Sequence, residues 1–188
     1  MRICKLGEDV LRQKCVSVES NEINDELRAT LNEMFETMIE ANGVGLAAPQ
    51  VDISKRFFVV IADDDVRRVF INPQIVATSS DLVDYEEGCL SIPKIYEKIK
   101  RPSQVTVQAL DENGKKFQLE ADGLLARVIQ HENDHLDGIV FIDRGDAEFK
   151  KEAEETMAKR QKRYLEKLKA KEAKERKIAA KKAAKAAK

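Results

Sequence analysis

The segment His131-Glu132-Asn133-Asp134-His135 is the feature that most constrains how this chain can fold. Residues four apart lie on one face of a helix, so both imidazoles can reach one metal ion only if the segment is helical. From Glu132, a carboxylate can take a proton from metal-bound water and return it to a leaving group. The chain contains no other histidines, which makes chance placement of both in H-E-x-x-H a weak explanation. The segment predicts a hydrolytic metal centre on a helix.

The third protein ligand that such a catalytic site needs is not settled by this segment. The zincin pattern that adds a third histidine is excluded, because Phe141 occupies that position. Glu154 or Glu155 would supply a carboxylate, as in a general metallopeptidase, although their highly charged surroundings indicate a solvent-facing helix. Cys89 would supply a thiolate, although composition alone favours a small buried hydrophobe there. Both alternatives stay open at the level of the residues.

Three segments follow one another along the chain: GVGLAAPQ at 43–50, EGCLS at 87–91 and QHENDHLDG at 130–138. In this order they closely resemble the three motifs of the peptide deformylases, G-x-G-x-A-A-x-Q, E-G-C-x-S and Q-H-E-x-D-H-x-x-G. Every fixed position of the three motifs is met. The resemblance also covers the surrounding body, roughly residues 1–145, and does not depend on the C-terminal tail.

The resemblance implies hydrolytic removal of the formyl group from the N-terminal formylmethionine of newly synthesised polypeptides, with release of formate. N-formylmethionyl nascent peptides would be the partners, metal-bound water the nucleophile and Glu132 the general acid/base. Cys89, His131 and His135 would hold one divalent metal ion. That ion is usually Fe²⁺ in the cell, with Zn²⁺, Ni²⁺ or Co²⁺ able to occupy the site.

The resemblance also assigns roles around the metal. Gln50 and the backbone N–H of Leu90 would bind the developing oxyanion, and Gln130 would help to hold the site. The residues expected on the substrate side are Gly43, Gly45, Tyr85, Glu87 and Arg127, and of these Glu87 would also support the ligands. Arg127 lies one turn before His131 and would either meet the peptide or turn away to solvent, with solvent the favoured expectation.

The hydrophobic pattern predicts an α+β fold, because strand-like runs are grouped and helices are few. Helices are predicted over 24–41, with Asn24 as N-cap, and from Asp122 to Gly138. The predicted strands are 57–62, 69–71, 105–109, 117–119 and 139–142. The resemblance implies antiparallel β-sheets around a central helix that carries HExxH, with an N-terminal helix and a long C-terminal helix beside them.

The composition changes at about Ala147 to Ala, Lys, Glu, Arg and Gln, all strong helix formers. We therefore predict a catalytic domain at 1–146 and a basic helical extension at 147–188. From Lys150 onward there are 16 Lys and Arg against 6 Asp and Glu, while the whole chain has a net charge of -1. The body is therefore acidic and the tail basic, which favours an anionic partner for the tail. The resemblance suggests ribosome contact.

The three cysteines, Cys4, Cys15 and Cys89, have no regular spacing and do not indicate a disulfide framework. The N-terminus shows no apolar run of signal-peptide type. No stretch approaches the ~20 apolar residues of a membrane span. These observations predict a cytoplasmic protein with reduced thiols and no membrane partner.

Overall fold

The computed structural model describes the backbone of residues 1–186 and the side chains of residues 1–176. The chain forms two compact units, Met1–Lys150 and Lys151–Lys188. The first unit holds helices α1 (Asp25–Glu40) and α2 (Gly123–Leu136) and the start of α3 (Ala147–Ala186). Its strands are β1 Gly45–Ala47, β2 Phe57–Ile61, β3 Arg67–Thr78, β4 Leu82–Cys89, β5 Ile92–Pro102, β6 Val105–Leu110 and β7 Lys116–Ala121.

The strands form two antiparallel sheets. Five strands pair in the order β1-β2-β3-β6-β7, and β4 pairs with β5 in a separate two-stranded sheet. With α2 packed against β1 and β2, the architecture is α+β, as the pattern of strands and helices predicted.

Strand β2 explains why the large sheet lies between two helices. Successive side chains of a strand point to opposite faces. Phe58 and Val60 accordingly pack in a cluster with residues of α2, whereas Phe57 and Val59 pack in a cluster with residues of α1. A continuous apolar run is what a strand buried on both faces requires. The two helices are thereby held on opposite faces of the sheet.

Both predicted helices are present, and their ends follow from local chemistry. Asn24 caps α1, because its side chain accepts a hydrogen bond of 3.0 Å from the Leu27 N–H. Asp122 precedes α2, but its side chain makes no capping hydrogen bond. Gly138 follows α2 with φ of +74°, and a Cβ there would lie 2.7 Å from the Arg12 carbonyl oxygen. Glycine is therefore needed where the chain leaves α2.

The predicted strand at 139–142 is wrong. Phe141–Arg144 form a short 3₁₀ helix, and the apolar residues Val140 and Ile142 are buried. The Asp143 carboxylate accepts a hydrogen bond of 2.9 Å from the Val140 N–H. This bond closes a turn. It also uses the Val140 N–H, which in a strand would donate to a carbonyl oxygen of the neighbouring strand. Burial without alternation is compatible with either conformation, so the apolar run was misleading.

The hairpin of β4 and β5 was not predicted. Most side chains on β4 are exposed, and the acidic pair Asp84 and Glu86 faces Lys100 and Lys98 across the hairpin. Such charged strands lack the apolar alternation by which strands are recognised. This hairpin nevertheless carries Cys89 at the end of β4.

The second unit is helical throughout its described backbone, in agreement with the helix predicted from composition. Lys159 pairs with Glu155 and Lys171 with Glu175, one helical turn apart in each case. No helix in the described part of the chain is long and apolar enough to cross a membrane. The division into a catalytic domain at 1–146 and an extension at 147–188 stays a prediction.

Candidate metal centre

Cys89, His131 and His135 lie together where the end of β4 meets α2. One ligand atom from each residue lies within 4.8 Å of the others. Cys89 Sγ is 3.3 Å from His135 Nε2, and the two imidazole centroids are 5.1 Å apart. Both histidines are buried, while Cys89 is partly exposed. The helix therefore presents its two histidines to one point, and the hairpin brings the sulfur to the same point.

Glu87 sets the orientation of His131. Its Oε2 lies 2.9 Å from His131 Nδ1. A hydrogen bond at Nδ1 leaves Nε2 as the nitrogen available to a metal and holds the ring in place. The supporting role of Glu87 stays a prediction, and this contact is the geometry that such a role needs.

Two arginines surround the carboxylate of Glu87. Arg101 donates to it through Nε and Nη2 at 2.7 and 3.0 Å, and Arg127 donates through Nη1 at 2.7 Å. Burial alone would raise the pKa of Glu87, but the hydrogen bonds from His131 and Arg101 outweigh burial and hold that pKa well below its usual range. Glu87 is therefore ionised, and removing one partner from such a buried pair typically costs about 3–5 kcal/mol.

Arg101 also ties α2 to the hairpin. Its Nη1 donates a hydrogen bond of 2.6 Å to Asp134, which lies on α2 between the two histidines. Arg144 Nη2 donates to the other oxygen of Asp134 at 2.5 Å. Gln130 donates to the carbonyl oxygens of Pro102 and Ala126 at 3.0 Å. Gln130 thus supports the site by attaching α2 to the end of β5.

Glu132 lies directly against the backbone of Gly45. A Cβ at Gly45 would lie 2.4 Å from Glu132 Oε1 and 2.6 Å from Val128 Cγ1. Glu132 Oε2 is buried and has no hydrogen-bond partner among the described residues. Burial raises the pKa of Glu132 to about 7, and Glu87 adds to the rise while His131 opposes it. A carboxyl group with such a pKa can both accept and release a proton near neutral pH.

Gln50 joins the first motif to the second. Its Oε1 accepts from the Ala47 N–H at 2.8 Å, which fixes which way the amide points. Its Nε2 then lies 3.2 Å from Ser91 Oγ and 3.4 Å from Cys89 Sγ. Gln50 is 1% exposed, and its amide orientation is fixed by Ala47. Its Nε2 is therefore a donor that is already oriented beside the Cys89 sulfur. Leu90, the residue after Cys89, lines the same cavity as Gln50.

These residues open onto one cavity of about 580 Å³, a volume typical of ligand sites. The predicted site residues that line it are Gly43, Gly45, Gln50, Tyr85, Glu87, Cys89, Leu90, Arg127, His131 and Glu132. His135 lies behind this wall and is 1% exposed. Leu124 and Val128 of α2 add apolar surface to the lining. An apolar side chain of a bound ligand would be stabilised by contact with this surface.

Arg127 corrects an expectation. It does not turn to solvent, because its side chain is 5% exposed. Besides Glu87, its guanidinium donates to the carbonyl oxygens of Ile99 and Val83 at 2.8 and 2.7 Å, and it lies over the ring of Tyr85. A buried guanidinium needs several acceptors, and the hairpin supplies them.

The donor set fits a divalent metal ion. In the part of the chain whose side chains are described, these three residues are the one group of His, Cys, Asp and Glu with metal-ligand spacing, and Glu154 and Glu155 do not belong to it. Two imidazoles and a thiolate suit a first-row transition metal such as iron or zinc. Three candidate ligands beside an open cavity, together with an unpartnered carboxylate oxygen, are the arrangement that a metal-dependent hydrolase requires.

Comparison with known proteins identifies the family. The polypeptide deformylase family matches residues 1–152. The peptide deformylase of Treponema pallidum is 56% identical over 146 residues, which cover 78% of this chain and 88% of the relative. That of Fusobacterium nucleatum is 52% identical over 143 residues, covering 76% and 82%. The crystal structure of a Synechococcus elongatus peptide deformylase in complex with actinonin has a TM-score of 0.77 at 46% identity, covering 85% of this chain and 86% of that one.

The chain therefore belongs to the polypeptide deformylase family. It is a metal-dependent hydrolase that removes the N-formyl group from nascent peptides, which is the known function of the family.

Several residues of the site gave no usable signal in the sequence. Lys5 lines the cavity, yet it lies 85 residues from its hydrogen-bond partner Leu90. Arg101 bonds residues 14 and 33 positions away. Asp134, to which Arg101 donates, is different, because it is a fixed position of the third motif and that motif could have drawn attention to it. For an isolated lysine or arginine on a charged segment, a solvated side chain is the ordinary expectation.

Proposed function

We propose that Cys89, His131 and His135 bind one divalent metal ion and that Glu132 is the general acid/base of deformylation. Gln50 Nε2 and the Leu90 N–H donate hydrogen bonds to the oxyanion. The observation that carries this proposal is that the three candidate ligand atoms lie within 4.8 Å of one another, and that two of the three residues line the same cavity as Glu132.

The reaction follows from what these groups can do. A divalent ion held by the three ligands would supply an activated water as nucleophile and polarise the formyl carbonyl. Glu132 takes the proton of the water as it attacks the formyl carbon. Negative charge then grows on the formyl oxygen, where the Gln50 amide and the Leu90 N–H stabilise it. Glu132 passes its proton to the departing amine, so formate and a free N-terminal methionine result.

The substrate-side residues receive different roles. Gly43 and Gly45 leave room beside the formyl end, because a side chain at Gly45 would meet Glu132 and one at Gly43 would lie 2.7 Å from Leu90 Cδ1. Tyr85 is half exposed at the cavity and is available to the methionine side chain. Glu87 and Arg127 shape this wall through their mutual ion pair.

We propose Fe²⁺ as the metal in the cell, as the resemblance to the deformylases implies, and a thiolate with two imidazoles can hold it. Anaerobically purified protein should contain about one iron per chain and cleave a formyl-methionyl peptide but not the same peptide without the formyl group. On exposure to air, we expect activity to fall at least about tenfold, because the iron or the Cys89 sulfur oxidises.

Zinc-loaded protein is the control, because zinc has no redox chemistry. Equal activity of the iron protein before and after air, with iron still bound, would contradict the oxidation prediction. Cleavage of the unformylated peptide would instead support a general metallopeptidase.

We further propose that the basic extension at 147–188 contacts the ribosome. Lysine and arginine dominate it, and those between 159 and 171 are exposed on the helix. Ribosomal RNA is an anionic surface, and an enzyme that acts on nascent chains gains from being near it. Binding through several phosphates weakens steeply with salt. An enzyme that works beside the ribosome would be cytoplasmic.

Co-sedimentation with ribosomes tests the tail. In a full-length variant, Lys162, Lys167, Lys169 and Lys171 are changed to Gln. Its affinity for ribosomes at low salt should be at least about tenfold lower, because each phosphate contact that is lost no longer releases counterions from the RNA. A chain ending at Lys150 should bind still less. That end point keeps the Phe141–Phe149 contact and the Lys150–Asp143 ion pair.

A variant with Lys94, Lys98, Lys100 and Lys116 changed to Gln is the matched control for total charge. All four residues lie outside the tail, and their loss should change binding less than the tail substitutions. Equal co-sedimentation of the wild type and the tail variant would refute the ribosome proposal.

A further inference from the structure

The N-terminal segment of residues 4–6 connects the two stretches that carry the proposed oxyanion donors. The Cys4 N–H donates to the Gln50 carbonyl oxygen at 2.8 Å. The next residue, Lys5, donates through Nζ to the Leu90 carbonyl oxygen at 2.7 Å. The Leu6 N–H donates to the Ser91 carbonyl oxygen at 3.0 Å. Three successive residues therefore fix one stretch to the other.

This segment is itself held in place. The Lys5 N–H donates to Glu8 Oε1 at 2.7 Å, and Arg2 donates to both oxygens of the same carboxylate at 2.9 and 2.7 Å. Cys4 and Leu6, on either side of Lys5, are buried. Lys5 is thus presented from a backbone anchored on both sides.

The contact between Lys5 and Leu90 differs from the other two bonds because it carries a charge. A hydrogen bond from an ammonium is roughly twice as strong as one between neutral groups. Lys5 is partly buried and lines the cavity, and burial lowers its pKa although nearby Cys89 opposes the change. Most lysines are free in solvent, whereas this one has its head group on a backbone carbonyl next to the site.

We propose that Lys5 is a positioning residue for the reaction, holding the Leu90 backbone so that its N–H points at the formyl oxygen. The inference rests on the proposed function in one respect, the role of the Leu90 N–H. Lys5 acts on that N–H through the carbonyl of the same residue, so it limits rotation of the Leu90 backbone. The Gln50 donor does not depend on Lys5, because Ala47 and Ser91 hold its side chain.

Lys5→Met is the decisive variant, because methionine keeps an unbranched apolar stem and removes the ammonium. With the metal-loaded protein and a formyl-methionyl peptide, we expect kcat to fall about tenfold, less than the loss of a whole oxyanion donor. KM should change less than about twofold, since ground-state contacts remain. Lys5→Arg should recover kcat to within about threefold, because a guanidinium can also donate to the carbonyl.

The second readout is the order parameter of the Leu90 amide, measured by NMR relaxation on zinc-loaded protein. It should fall from about 0.85 in the wild type to below about 0.6 in Lys5→Met, since a backbone that has lost its anchor moves more. Lys14→Met is the matched control, because Lys14 is an exposed lysine of the same N-terminal region. It should leave kcat and the Leu90 order parameter unchanged. If Lys5→Met does not fold, Lys5→Gln, too short to reach the carbonyl, replaces it with the same expectations.

The outcomes separate this inference from the proposed function. An unchanged kcat in Lys5→Met overturns the inference, and so does a lower kcat with an unchanged Leu90 order parameter, because Lys5 would then act elsewhere. If wild-type protein does not cleave the formyl peptide, the proposed function fails, and the order parameter of Leu90 alone decides whether Lys5 positions that amide.

Discussion

Glu132→Gln is expected to keep one metal per chain and to lower kcat by at least about 10³-fold, within the range measured for general acid–base groups. Glutamine has nearly the shape of glutamate and still fits against Gly45, where a Cβ would lie 2.4 Å from Glu132 Oε1. It cannot carry a proton from the attacking water to the leaving amine. The measurements are turnover of a formyl-methionyl peptide and metal content of the same preparation.

The exposed residue Glu120 provides the matched control. Glu120→Gln makes the same chemical change away from the cavity and should leave turnover unchanged. Near wild-type deformylation by Glu132→Gln would show that the assigned role is wrong. Loss of the metal from Glu132→Gln would also count against it, because Glu132 is proposed as a proton carrier and not as a ligand.

Cys89→Ala is expected to weaken metal binding by at least about 100-fold, because even the loss of a residue that only supports a ligand commonly costs 10–100-fold. Activity should disappear with the metal. The remaining groups, His131 and His135, cannot complete a catalytic site that needs three protein ligands. Titration of metal-free protein, followed by metal analysis after gel filtration, measures the loss.

Cys15→Ala is the control for this variant. Cys15 is buried in the core cluster that includes residues of α2, and burial raises the pKa of its thiol to about 11. It is therefore a protonated core side chain, and its loss should lower thermal stability while metal binding is retained. Undiminished iron binding by Cys89→Ala would exclude Cys89 as a ligand. Cys89→Asp should bind metal with a changed preference, since a hard oxygen replaces a soft sulfur.

Local signals accounted for the helices because their causes are local. The Asn24 cap and the apolar spacing of α1 act within a few residues, and the same holds for the glycine after α2. The hairpin of β4 and β5 was missed, since its exposed charged residues follow no apolar alternation. The run at 139–142 was assigned to a strand because buried apolar residues look alike in a strand and in a 3₁₀ turn.

The same distinction applies to the site. His131, Glu132 and His135 share one turn of helix, so their spacing already predicted a common metal. For the third ligand the residues alone left Cys89 and the pair Glu154 and Glu155 open, and the resemblance pointed to Cys89. In the structure the end of β4 brings the sulfur to 3.3 Å from His135 Nε2.

By itself, the sequence determined the helix that carries HExxH, the order of the three motifs and the basic composition of the tail, because each depends on residues close together in the chain. The tertiary structure decided what surrounds that helix. It placed Arg127 and Arg101 on Glu87 and brought Lys5 to the Leu90 carbonyl. These contacts join residues from 14 to 85 positions apart, and only the packing of the hairpin and the N-terminal segment around α2 brings such residues together.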